Sequence, residues 1–303
     1  SESDRAALRE LVRTADIFLE DWGVGVAEGL GLGYKALSAK NPKLIYYAIT
    51  GHGEKGPLKD LPGSELTMQS WTEYVKNLGV PGQRPLRVGA DIASIGTGVM
   101  SFSGVLAALY HRLKTGEGQR GTTSMLGMMM CIKTGTWSMY SRPDIWGENG
   151  YLTATVSGPR YGYQTKDRPI TFSINTKTRD LRKEHEAILK ELGMWEDVKD
   201  DPRFAYGAGG GGLGTDEVRV IWEKYLTKFT AQEALDILNR HEGKATEMLR
   251  LNEVFEHPQI KTLDLLSHDS AGNGYVRAPW QGPWGRVPIV APPRLGQHNE
   301  ETL

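Results

Sequence analysis

The segment Gly89-Ala90-Asp91-Ile92-Ala93-Ser94-Ile95-Gly96-Thr97-Gly98 places one carboxylate between small residues, at the head of a long apolar stretch. Two uses of Asp91 fit. As the residue before a helix it can cap the first amides. As a nucleophile it needs no partner base, because a carboxylate is already ionised at neutral pH. A helix mouth favours the negative charge of either use. The glycines let a ligand approach the backbone closely. From these residues alone both readings stand.

Other groups offer less. The tract Gly207-Ala208-Gly209-Gly210-Gly211-Gly212-Leu213-Gly214 has dinucleotide-fingerprint spacing. The fingerprint needs an apolar strand before it. The preceding Lys199-Asp200-Asp201-Pro202-Arg203 is too polar for that, so the tract reads as a surface loop. The seven histidines, among them His52, His111 and His185, form no metal pair at a recognised spacing. Ser101 and Ser103 do not make Gly-x-Ser-x-Gly. Cys131 follows Met128-Met129-Met130 and reads as a buried structural thiol. Trp280 and Trp284 stand among prolines and glycines and read as anchors of an irregular tail.

The elements that position these residues alternate. Helical spacing spans 4–14, then the apolar run 17–19 reads as a strand. A short helix from 34 to 39 precedes a strand over 44–49. Residues 92–114 form the clearest helix, rich in small residues and stopped by Gly116. A second apolar helix is expected over 123–140. The stretch 143–168 reads as a linker. A strand at 170–174 leads to helices near 180–192, 216–227, 231–240 and 251–255, and a strand-like tail follows from 275. Alternating helix and strand implies a parallel α/β layer.

The chain has 303 residues, 36 basic against 37 acidic side chains and a formal net charge of −1. That balance gives no electrostatic ground for a nucleic-acid or anionic-membrane partner. No apolar run reaches the 18 or so residues of a membrane span, and no signal peptide is visible. One cysteine permits no internal disulfide, in keeping with a reducing compartment and a cytoplasmic location.

Taken in order, the segments resemble the class III CoA-transferases, the family of formyl-CoA and carnitine CoA-transferases and α-methylacyl-CoA racemase. The resemblance runs through Ala15-Asp16-Ile17-Phe18-Leu19-Glu20-Asp21-Trp22-Gly23-Val24-Gly25, Asn41-Pro42-Lys43-Leu44-Ile45-Tyr46, Ile49-Thr50-Gly51-His52-Gly53, Pro62-Gly63-Ser64-Glu65 and the Asp91 segment. It continues through Lys114-Thr115-Gly116-Glu117-Gly118, His257-Pro258-Gln259 and Ala291-Pro292-Pro293-Arg294-Leu295-Gly296.

The resemblance implies an open, Rossmann-like α/β catalytic domain over residues 1–142, N-terminally incomplete because the family's upstream βαβ material has no counterpart. A linker and smaller α/β domain follow over 143–249, and 250–303 returns to the first domain. It implies an interlocked homodimer or hetero-oligomer. It puts the catalytic aspartate on Asp91 and an acidic residue near the reacting centre on Glu65. The CoA-holding positions fall on Asp21, Trp22, Gly23, Val26, Leu30 and Met125. The implied activity moves CoA from an acyl-CoA donor to a small carboxylic acid through an aspartyl-CoA thioester, with no metal. Two alternatives accompany it: a non-catalytic partner subunit, and a racemase-like epimerase. The racemase branch carries a histidine where this sequence has Ser64.

Overall fold

A computed structural model describes residues 1–76, 84–133, 141–142, 144, 162–174, 180–205, 216–269, 272–277, 279, 282–283, 285, 290 and 292–302. The glycine tract 207–214, Trp280, Trp284 and residues 134–140 of the helix expected over 123–140 lie outside the described residues. By contact density the chain divides into two units, Ser1–Thr155 with Asn299–Leu303, and Val156–His298. Residues 250–298 thus group with the second unit.

The first unit opens with α1 (Glu2–Val12), whose Ser1 and Asp4 form a capping box. β1 (Ile17–Glu20), short helices α2 (Val26–Gly29) and α3 (Tyr34–Ser38), and β2 (Ile45–Thr50) follow. Next come α4 (Glu65–Trp71), the 24-residue α5 (Ile92–Thr115), β3 (Arg120–Ser124) and α6 (Met125–Cys131). The three strands pair in parallel in the order β1-β2-β3, with Phe18 opposite Tyr46 and Tyr47 opposite Gly121. Parallel strands need crossover helices, and these cover the sheet.

One apolar cluster joins Val12, Phe18, Leu32, Leu37, Leu44 and Tyr46, with the Phe18 and Tyr46 rings 5.3 Å apart. α5 packs against β2 and β3, and glycine makes that approach possible. A Cβ on Gly104 would lie 2.0 Å from the Tyr47 hydroxyl, and one on Gly121 2.4 Å from the same ring. The Tyr47 hydroxyl is fixed by a 2.8 Å hydrogen bond with Thr123 Oγ1. Met68, Ala93, Met128 and Met129 form a second cluster between α4, α5 and α6.

The second unit has its own core around the fully buried Trp222, with Tyr163, Phe172 and Phe204 packed on it. The helices Arg182–Glu191, Asp216–Leu226 and Ala231–Arg240 enclose it. Ile170–Thr171 pairs with Thr246–Glu247, and Leu266–His268 with Gly274–Val276, both antiparallel.

Three expectations change. Residues 120–124 form a strand, which takes the first two residues of the helix expected over 123–140, although Arg-Gly-Thr-Thr-Ser has no apolar alternation. Its pairing to β2 through the backbone supplies what its side chains do not advertise. Cys131 is exposed, because it ends α6 on the side away from Met128 and Met129, which are buried. α5 is long and apolar enough to cross a membrane. Its packing on β2, β3, α4 and α6 instead makes it a crossover helix of the sheet.

Candidate active site

The carboxyl ends of β1 and β2 and the start of α6 frame a cleft of about 430 Å³. Asp21, Trp22, Gly23, Val26, Lys59 and Met125 are among its lining residues. Open α/β sheets bind ligands at this end of their strands, and the volume suits an extended small-molecule arm.

Each wall has a local cause. Glu20 is buried at the end of β1 and accepts the Trp22 N–H at 3.0 Å, which turns the chain into the cleft. The Tyr46 hydroxyl donates to the same carboxylate at 3.4 Å. Burial pushes the Glu20 carboxyl above the ordinary carboxylate range, against the pull of these donors. Gly23 and Gly25 take φ of 101° and 80°, which L side chains adopt only with strain. On the far wall Gly51 and Gly63 meet backbone to backbone, and a Cβ on Gly51 would lie 2.5 Å from the Gly63 nitrogen. The Leu126 N–H then bonds the Gly51 carbonyl at 3.0 Å, tying α6 to the end of β2.

Asp91 stands at the N-terminus of α5, but its side chain makes no capping hydrogen bond. It pairs instead with Arg87 and is 59% exposed in this chain. The side chain that accepts the helix amides is Glu65, from the first turn of α4. One oxygen takes the Ala93 N–H at 2.9 Å, and the other takes the Ser94 N–H and hydroxyl, each at 2.9 Å. Burial opposes ionisation of Glu65. The Ala93 amide, Gln69 and Ser94 outweigh it and hold the carboxyl below the ordinary range. Gln69, which no sequence motif singles out, donates to Glu65 at 2.8 Å and is wholly buried. A glutamine one turn after Glu65 on an apolar helix face was the available signal.

The sequence-derived residues therefore fall into three groups. Asp21, Trp22, Gly23, Val26 and Met125 share the cleft. Glu65 and Asp91 share the mouth of α5, and neither lines the cleft. Leu30 belongs to neither group. It packs on the Val12 and Phe18 cluster and sits beside Ser1, Arg5 and Leu8. Ser64 caps α4, accepting the Thr67 N–H at 3.3 Å. Gly96 and Gly98 lie inside α5, where amides serve the helix ladder, so they supply no free anion donors. Gly96 instead admits Met128, whose sulfur would lie 2.5 Å from an added Cβ.

The family model for CoA-transferase family III matches residues 1–299. Among characterised relatives, the chain is 28% identical over 98% of its length to succinate–glutarate CoA-transferase of Agrobacterium fabrum, spanning 74% of that protein. It is 30% identical over 88% of its length to acetyl-CoA:oxalate CoA-transferase of Acetobacter aceti, spanning 67% of it. It is 26% identical over 99% of its length to formyl-CoA:oxalate CoA-transferase of Streptomyces avermitilis, spanning 76%. A hypothetical protein from Mycobacterium tuberculosis has the same fold, with TM-score 0.82 and 23% identity over all of this chain and 80% of that one. A CaiB/BaiF family protein from Brucella suis matches with TM-score 0.75 and 24% identity, over 99% of this chain and 78% of the other. The chain belongs to CoA-transferase family III and is an enzyme of that class.

Proposed function

We propose that this enzyme transfers CoA from an acyl-CoA to a carboxylic acid, with Asp91 as the covalent carrier. The observation that supports this is a carboxylate with no capping duty at a helix mouth whose amides another residue has already taken. Asp91 is left available for chemistry while Glu65 holds the helix end.

In this reading an Asp91 oxygen attacks the thioester carbon, the C–S bond breaks, and CoA leaves as a thiolate. The resulting mixed anhydride is attacked by that thiolate at the aspartyl carbonyl. The donor acid leaves as a carboxylate, and an aspartyl-CoA thioester remains. The acceptor carboxylate then displaces CoA to form a second anhydride. The thiolate attacks the acceptor's carbonyl, releasing the new acyl-CoA and restoring Asp91. Each step exchanges one activated acyl bond for another, so no ATP enters.

The cleft is the proposed seat of the CoA arm. Trp22, Val26 and Met125 offer apolar contact, and Lys59 offers a cation. The relatives' names share short dicarboxylates, namely succinate, glutarate and oxalate, which makes these the first acids to assay here. A reducing, cytoplasmic setting suits the exposed thiol of Cys131.

We also propose self-association. The outer face of α5 carries Ile95, Val99, Phe102, Leu106, Tyr110 and Leu113, all exposed and spaced three or four apart. That is a continuous apolar stripe of the kind that marks an interface. A second copy laid near it would also shield Asp91 from water.

The test is a panel of formyl-, acetyl- and succinyl-CoA donors against succinate, glutarate and oxalate, with Asp91→Ala alongside. Transfer by the wild type and none by a folded Asp91→Ala is expected. Equal transfer by the two proteins overturns the reading.

A further inference from the structure

Gln69 lies on α4 one turn beyond Glu65 and is 0% exposed. Its carboxamide reaches three separate points. Oε1 accepts the Val88 N–H at 2.9 Å. Nε2 donates to Glu65 Oε1 at 2.8 Å and toward the Ala90 carbonyl at 3.4 Å. The orientation of the amide is fixed by its partners. An N–H must face its oxygen, and a carboxylate and a carbonyl must face its nitrogen.

Asp91 is thereby held from both sides. Before it, Gln69 grips the backbone at Val88 and at Ala90, the residue adjacent to Asp91. After it, Glu65 grips the amides of Ala93 and Ser94, and Gln69 orients Glu65. Among the described residues, the Asp91 side chain bonds to Arg87. Its placement is therefore set through the main chain. Glutamine is the one side chain of this length with a donor and an acceptor at its tip. Leucine would leave the Val88 amide unmet, and glutamate would face Glu65 with a like charge.

We propose that Gln69 is a positioning residue for the nucleophile, clamping residues 88–90 and the Glu65 cap so that the Asp91 carboxylate meets the thioester carbon at bonding distance. This rests on the assignment of Asp91 as nucleophile. Gln69 does not line the cleft at the ends of β1 and β2, so its effect is expected on the chemical step more than on binding of the CoA arm.

The experiment compares Gln69→Leu, Gln69→Glu and Asp91→Ala with wild type, using the acyl-CoA and acid pair that the wild type turns over fastest. Circular dichroism and thermal melting confirm folding. The expected result is a kcat lowered about 10- to 100-fold in both Gln69 variants, with KM within about threefold, as a displacement near 1 Å produces. CoA-adduct formation on the Asp91 peptide slows in parallel. A folded Gln69 variant with wild-type kcat, or one whose loss lies in KM, overturns the proposal while Asp91→Ala remains inert. Failure of both variants to fold also overturns it, in favour of a purely structural role. An active Asp91→Ala, or no wild-type turnover across the panel, removes the nucleophile reading itself.

Discussion

Asp91 and Glu65 exchange the roles their positions suggest. The residue at the cap position makes no capping bond and pairs with Arg87, and a residue 26 places earlier does the capping. This separates their mutants. Asp91→Ala removes an exposed ion pair to Arg87 and no capping bond, and changes stability by less than about 1 kcal/mol. Glu65→Ala strands the Ala93 and Ser94 amides and costs about 1–3 kcal/mol. Chemical denaturation of the two variants checks the order; an Asp91→Ala loss as large as that of Glu65→Ala contradicts it.

Glu65 also makes a pH signature. Its folded carboxyl lies below the unfolded value near 4.5. Its contribution is therefore complete above that value and is lost as pH falls through the folded one. Stability of Glu65→Gln, measured between about pH 3 and 6, should depend less on pH than wild type does. Of these residues, the place of Asp91 at a helix head was legible in its local motif, and Asp21, Trp22, Gly23, Val26 and Met125 were picked out by the family resemblance. The Glu65 to Ala93 bond and the Gln69 clamp were not, since each joins segments about 20 to 30 residues apart with no shared pattern.

At the scale of elements, most of the first unit was readable. β1, β2 and α5 have apolar runs or helical spacing that match their places. β3 was not, because its residues are polar and its stability comes from the ladder to β2. α4 was missed as well. Its capping box uses a threonine at the third position, and only seven residues follow the cap. Close packing of α5 on the sheet depends on Gly104. Gly104→Ala puts a methyl group into the Tyr47 hydroxyl and breaks its bond to Thr123, at about 1–3 kcal/mol. A thermal midpoint unchanged from wild type would show that α5 sits farther from β2 than described.

At the scale of the molecule, one chain leaves the outer face of its long helix and the proposed nucleophile Asp91 exposed. Composition could not reveal this, since small residues and apolar residues on α5 serve a buried face and an exposed one alike. Sedimentation velocity should show a dimer, and paired charges at Val99→Asp and Phe102→Asp should shift it toward monomer. A wild-type monomer at micromolar concentration would count against self-association. The proposed reaction requires a covalent bond between this chain and CoA. Intact-protein and peptide mass spectrometry after mixing with the best donor reads it directly. A mass gain of one CoA is expected on the Asp91 peptide, discharged by the acceptor acid and absent in Asp91→Ala. Full turnover with no such adduct at any time, or an adduct on another residue, would contradict it.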